Sequence, residues 1–127
     1  IPELLDQLQE KGMQLAVASN KYQSATTKLI AHYFPTIRFT AVFGQREGVN
    51  VKPDPTIVHD ILDIAKVSKE EVLYVGDSGV DMQTAANAGV TACGVTWGFR
   101  PRTELETFHP DHIVDAANEI AAIAMAH

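Results

Sequence analysis

The sequence predicts an α/β protein, with three layers built on a doubly wound parallel sheet. Three observations predict it. Segments with apolar residues at helical spacing alternate along the chain with short runs that are apolar throughout. Those runs carry little polarity, as expected of strands buried on both faces. Each pair of runs is separated by enough chain for a helix, and strands joined by helices lie parallel with right-handed crossovers.

The elements follow in order. Ile1, Leu4, Leu5 and Leu8 recur at helical spacing, with Pro2 in the first turn and Gly12 just past the end. Residues 13–18 read as a strand buried on both faces. Tyr22, Ala25, Leu29 and Tyr33 form the inner face of a second helix, which Pro35 stops. Residues 39–43 form the next strand, followed by Gly44. Asp54-Pro55 starts a helix as an N-cap followed by proline at the first helical position, with Ile57, Val58, Ile61, Leu62 and Ala65 as its apolar stripe. Residues 71–75 are a third strand, residues 80–88 an alanine-rich helix closed by Gly89, and residues 90–95 a fourth strand. Residues 112–114 read as a short edge strand and residues 116–126 as a last helix.

Bulk properties exclude several function classes. The 127 residues make one small domain at most, and 46% apolar content is enough for a core. The net charge of −6 argues against a nucleic-acid partner, which needs a basic face. Lysines and arginines stand singly, and no apolar stretch spans a bilayer, so no membrane partner is expected. The single cysteine, Cys93, sits in an apolar run and reads as a buried structural thiol. A reducing, cytoplasmic setting is expected. The chain opens at Ile1-Pro2-Glu3 without an initiator methionine and within an amphipathic pattern, so a fragment of a longer protein is expected, with any targeting signal lost.

In parallel α/β sheets the functional loops lie at the carboxyl ends of the strands. Three of those loops carry unusual chemistry. Ser19-Asn20 follows the first strand and is expected to open the next helix, either as an anion site or as a plain N-cap. Lys52 precedes a stiff Pro53-Asp54-Pro55 segment, where it can neutralise a phosphate or remain a solvated loop lysine. Gly76-Asp77-Ser78-Gly79-Val80-Asp81 straddles a strand-to-helix turn, so its two carboxylates can converge on one hard cation or cap the helix. Asp77 ends an apolar strand, where an unpaired carboxylate is costly.

Taken together, Ser-Asn, Lys-Pro and Gly-Asp-Ser-x-x-Asp resemble the second, third and fourth motifs of the haloacid dehalogenase superfamily. The stretch Gly94-Val95-Thr96-Trp97-Gly98-Phe99-Arg100 is similar to its phosphoglycolate-phosphatase-like branch. The resemblance covers essentially the whole chain. It implies a Rossmann-like catalytic core acting on a small phosphorylated metabolite, phosphoglycolate or a sugar phosphate. An aspartate would attack phosphorus, and water would hydrolyse the aspartyl-phosphate. Asp77 and Asp81 would hold Mg²⁺, Asp81 directly or from behind. Lys52 would balance the negative charge, and Ser19 with the backbone near Asn20 would bind the phosphoryl oxygens.

The sequence departs from that pattern in one respect. The family's first motif, Asp-x-Asp, supplies the nucleophile, and no pair here has its spacing: Asp60/Asp63, Asp77/Asp81 and Asp111/Asp115 are all too far apart. The resemblance therefore implies a partial core over residues 1–127, without the first, central strand and without the cap domain. This chain is expected to be inactive alone. The sheet would be completed by a missing N-terminal segment or a second chain, or its two halves would close directly on each other. A non-catalytic binding or assembly module is the alternative. A phosphoacceptor signalling domain fits less well, because the acidic pair it needs earlier in the chain is missing. His32, His59, His109, His112 and His127 are too dispersed for a transition-metal site. Arg100 and Arg102 read as solvated, and Trp97 as structural or as packing over the rim of the site.

Overall fold

The computed structural model describes residues 2–126, and the readings made for Ile1 and His127 lie outside them. The element order is α1 (Pro2–Glu10), β1 (Ala16–Tyr22), α2 (Gln23–Tyr33), β2 (Ala41–Gln45), α3 (Thr56–Ala65), a 3₁₀ turn (Lys69–Glu71), β3 (Leu73–Gly76), α4 (Gly79–Ala88), β4 (Thr91–Val95), α5 (Arg102–Thr107), β5 (His112–Val114) and α6 (Ala117–Ala126). The alternation expected from the sequence is present, and every strand pair is parallel. Helix α5 is the element the periodicity did not reveal. At six residues it is too short to show a stripe, and its one anchor is the fully buried Leu105.

The strands form two sheets rather than one, β1-β2 and β3-β4-β5. Among the described residues β1 pairs only with β2, and β3 only with β4. The two halves therefore do not close on each other by strand pairing. Residues 13–18 were expected to be buried on both faces, but β1 is half-buried or exposed throughout its length, and Val75 in β3 is 42% exposed. Both strands lack a neighbour on one edge, so neither has the cover that a central strand receives.

The core lies on both sides of the larger sheet. One cluster joins Ile57, Val58 and Leu62 of α3 to Met82 and Ala85 of α4, Ala92 of β4 and Leu105. Ala18 and Phe43 of the smaller sheet pack against the same cluster, so α3 and α4 connect the two sheets. On the opposite face Cys93, Val95 and Val114 meet Ile120 of α6 and Leu4 of α1. Burial, and next to it the charge of Glu119, pushes the Cys93 thiol up to about 11, which keeps it a neutral packing group.

Helix α2 corrects a reading of the sequence. Tyr22, Leu29 and Tyr33 are 72%, 39% and 62% exposed, and Thr26 is the residue buried instead. The reason is Gln23. Its Nε2 donates to the Val42 carbonyl at 2.8 Å, and its Oε1 accepts the Gly44 N–H at 2.8 Å. That link to the β2 backbone fixes the helix rotation, and Gln23, Thr26 and Ile30 turn inward together at helical spacing. The apolar stripe one position away is left outside.

Candidate active site

The first strand-end loop is a distortion of β1. Ala18 pairs with Phe43 and Tyr22 with Gln45, so residues 19–21 stand opposite Gly44 alone. The bulge presses on Gly44: a Cβ there would lie 2.5 Å from the Lys21 carbonyl oxygen and 2.5 Å from Thr26 Oγ1, so glycine is required. Ser19 and Asn20 thus lie within β1 and do not open a helix. Helix α2 begins at Gln23, and its N-cap is Tyr22, without a side-chain bond. Ser19 and Asn20 therefore do not present a helix N-terminus. Ser19 Oγ accepts the Lys21 N–H at 3.1 Å, and its own proton has no acceptor among the described residues.

Asn20 is committed to Lys52. Its Oδ1 accepts the Lys52 N–H at 2.9 Å, and its Nδ2 donates to the Lys52 carbonyl at 3.1 Å. One side-chain amide thereby clamps one backbone residue from across the gap between two loops. The Lys52-Pro53 peptide is cis. Beyond it, Asp54 Oδ1 accepts the Thr56 N–H at 2.9 Å, so the helix starts one residue later than the Asp-Pro pair suggested.

From that clamp the Lys52 side chain runs inward. Its Nζ donates to the Ala18 carbonyl at 3.2 Å and to Asp81 Oδ1 at 2.6 Å. The two charged side chains are only 10% and 12% exposed. Lys52 therefore ties β1 to the first turn of α4, which follows β3, although β1 and β3 do not pair.

Asp81 is the most heavily bonded side chain of the site. Oδ1 takes Lys52 Nζ and the Tyr74 hydroxyl at 3.0 Å, and Oδ2 takes the Asp77 N–H and the Ser78 hydroxyl, each at 3.2 Å. Burial pushes its carboxyl up. The charge and hydrogen bond of Lys52, then those of Tyr74 and the Asp77 N–H, outweigh it and hold Asp81 below the ordinary aspartate value. The carboxylate packs so closely on Gly76 that a Cβ there would overlap it. Asp77, by contrast, is half-buried, and its carboxylate has no donor among the described residues. The backbone of Gly98 passes against it closely enough that a Cβ would collide with Asp77.

Two contributors were not legible beforehand. Tyr74 reads in sequence as one more apolar strand residue; its offset of seven from Asp81 spans a strand and a helical turn, for which no simple period exists. Glu104 of α5 accepts the Gly79 N–H at 2.7 Å, and so caps α4 from a different element. Arg100 and Arg102 are exposed as expected, yet each has a carboxylate partner: Glu104 at 3.7 Å for Arg100, and Asp115 at 3.3 Å for Arg102. Trp97 is 43% exposed.

The sequence pattern of the haloacid dehalogenase-like hydrolases matches residues 1–95. The chain belongs to that family. Among curated relatives of this haloacid dehalogenase-like chain, the phosphoglycolate phosphatase of Vibrio parahaemolyticus serotype O3:K6 is 26% identical over 97% of this chain and 54% of its own length. That of Pectobacterium atrosepticum is 30% identical over 94% of this chain and 51% of its own. Among solved structures, a protein of Lactobacillus delbrueckii subsp. bulgaricus, provisionally described as a phosphoglycolate phosphatase, superposes with a TM-score of 0.92 at 33% identity, over 98% of this chain and 52% of that one. The chain spans about half the length of the curated relatives it matches.

Proposed function

We propose that this chain is the C-terminal part of the catalytic core of a Mg²⁺-dependent phosphatase, which hydrolyses a small phosphomonoester such as phosphoglycolate or a sugar phosphate through an aspartyl-phosphate. The observation that carries the reading is the Lys52 ammonium, held between the Ala18 carbonyl and Asp81 beside an unpartnered Asp77. A cation and a free carboxylate at adjacent strand ends suit a phosphoryl group and its counter-ion.

The donor set fits magnesium in a particular way. Asp77 has acceptor positions to offer, whereas both oxygens of Asp81 already accept two hydrogen bonds each. Asp77 would hold the ion together with water and substrate oxygens, and Asp81 would stand behind it, bonded to the Asp77 N–H. When bound, magnesium neutralises phosphoryl charge. Lys52 would balance the same charge, and the Ser19 hydroxyl with the backbone near Asn20 would donate to the transferring oxygens.

The nucleophile would come from a strand that is not among these 127 residues, lying between the unpaired edges of β1 and β3 and supplied by an N-terminal segment or a second chain. The test is phosphate release from a panel of small phosphomonoesters, with Mg²⁺ or with a chelator. The chain is assayed alone and joined to the N-terminal half of the Vibrio relative. We expect no release alone, chelator-sensitive release when joined, and a loss of at least about 100-fold in Asp77→Asn. Full activity in Asp77→Asn removes Asp77 from the metal site, and a joined protein that binds but never turns over favours a binding module.

A further inference from the structure

Tyr74 lies on β3, three residues before Asp77, with its ring packed against the cluster formed by α3, α4 and β4. Its hydroxyl meets Asp81 Oδ1 at 3.0 Å, the same oxygen that receives Lys52 Nζ at 2.6 Å. The donors on Oδ2, from Asp77 and Ser78, belong to the strand-to-helix turn itself. Lys52 arrives on a loop. Tyr74 is therefore the donor fixed by core packing, and it sets the plane of the carboxylate against which the others settle. Burial, then the charge and hydrogen bond of Asp81, keeps the phenol well above its ordinary range, so it acts only as a donor. Without it, Oδ1 keeps Lys52 as its one donor, and the carboxylate plane is held only by the two turn donors on Oδ2, so the carboxylate can tilt and the ammonium shift with it.

We propose that Tyr74 is a positioning residue for Lys52, acting through Asp81: the strand-borne hydroxyl fixes where the ammonium stands at the rim of the site. Its catalytic meaning rests on the phosphatase reading, but the placement is measurable without turnover.

The experiment is ¹H–¹⁵N spectroscopy of the lysine ammonium groups in the 127-residue chain, with Lys52 assigned by its loss in Lys52→Arg. A shielded, doubly bonded ammonium gives a slowly exchanging signal, which solvated lysines do not. In Tyr74→Phe the Lys52 signal should shift and broaden while the backbone amide spectrum elsewhere is retained. In the wild type a cross-peak should join the Tyr74 hydroxyl proton to the Lys52 ammonium. In the joined protein, Tyr74→Phe should lower kcat about tenfold with little change in KM. An unmoved Lys52 signal in folded Tyr74→Phe overturns the proposal. If that variant does not fold, absence of the wild-type cross-peak overturns it equally. A Lys52 signal that responds to Tyr74→Phe in a protein without turnover sinks the phosphatase reading alone.

Discussion

Asp81 could not remain charged at 8% exposure without its donors, and Lys52 is the strongest of them. Removing Lys52 leaves a buried carboxylate with neutral donors only. Lys52→Ala should therefore destabilise the chain by about 3 kcal/mol at neutral pH, measured by urea unfolding. The pH dependence has a definite sign. In the wild type the folded value of Asp81 lies below its unfolded value, so its contribution is present above the unfolded value and is lost as pH falls through the folded one. In Lys52→Ala burial dominates, and the folded value rises above the unfolded one. The deficit of the variant should then be largest near pH 7, begin to shrink as pH falls through the variant's raised folded value, and go on shrinking to the wild type's lowered one. A deficit independent of pH would mean that Lys52 stabilises through its methylene packing alone.

At the scale of elements, the short helix α5 has the largest effect for its length. It inserts Leu105 into the main core and sends Glu104 to the first N–H of α4. The N-terminus of α4 is thus capped twice, by Ser78 Oγ accepting the Asp81 N–H at 3.2 Å and by Glu104 accepting the Gly79 N–H. Because the same turn carries Asp77 and Asp81, its stiffness bears on the site. Glu104→Ala should lower the unfolding free energy by about 1 kcal/mol, measured by urea unfolding, and Glu104→Gln should recover part of that through its remaining carbonyl acceptor. Equal losses in both variants would show that Leu105 packing, rather than the cap, had been disturbed. Helix α2 shows the converse. Its most apolar stripe faces outward because two hydrogen bonds from Gln23 to a strand backbone fix its rotation first.

Across the whole molecule, the two sheets share a core through α3 and α4 and an ion pair through Lys52, but no strand ladder among the described residues. Strand β4 has partners on both sides, whereas β1 and β3 each have one. Native-state hydrogen exchange should find the amides of β4 the slowest and those of β1 clearly faster. When the chain is joined to a segment that fills the space between β1 and β3, both strands should slow towards β4. Unchanged exchange in β1 and β3 on joining would place the added strand elsewhere.

The sequence by itself determined the order of elements apart from α5, the parallel pairing and the segments after the strands in which Lys52, Asp77 and Asp81 stand, because these depend on local period and on turn residues such as Gly76, Gly89 and Pro53. The His112–Val114 edge strand was legible to the residue. The division of labour inside the site was settled only by tertiary contacts. Asn20 holds the Lys52 backbone, Asp81 is filled by four donors, and Asp77 is left free. The Asp77 and Ser78 donors are local to the turn, but the Asn20–Lys52 clamp and the Lys52–Asp81 pair join segments distant in sequence, and no spacing along one element reveals them. The bulge at residues 19–21, which keeps Ser19 and Asn20 out of the helix, likewise depends on what Gly44 meets across the sheet. Local propensity places a residue on an element, whereas its hydrogen-bond partners are fixed by packing between elements distant in sequence.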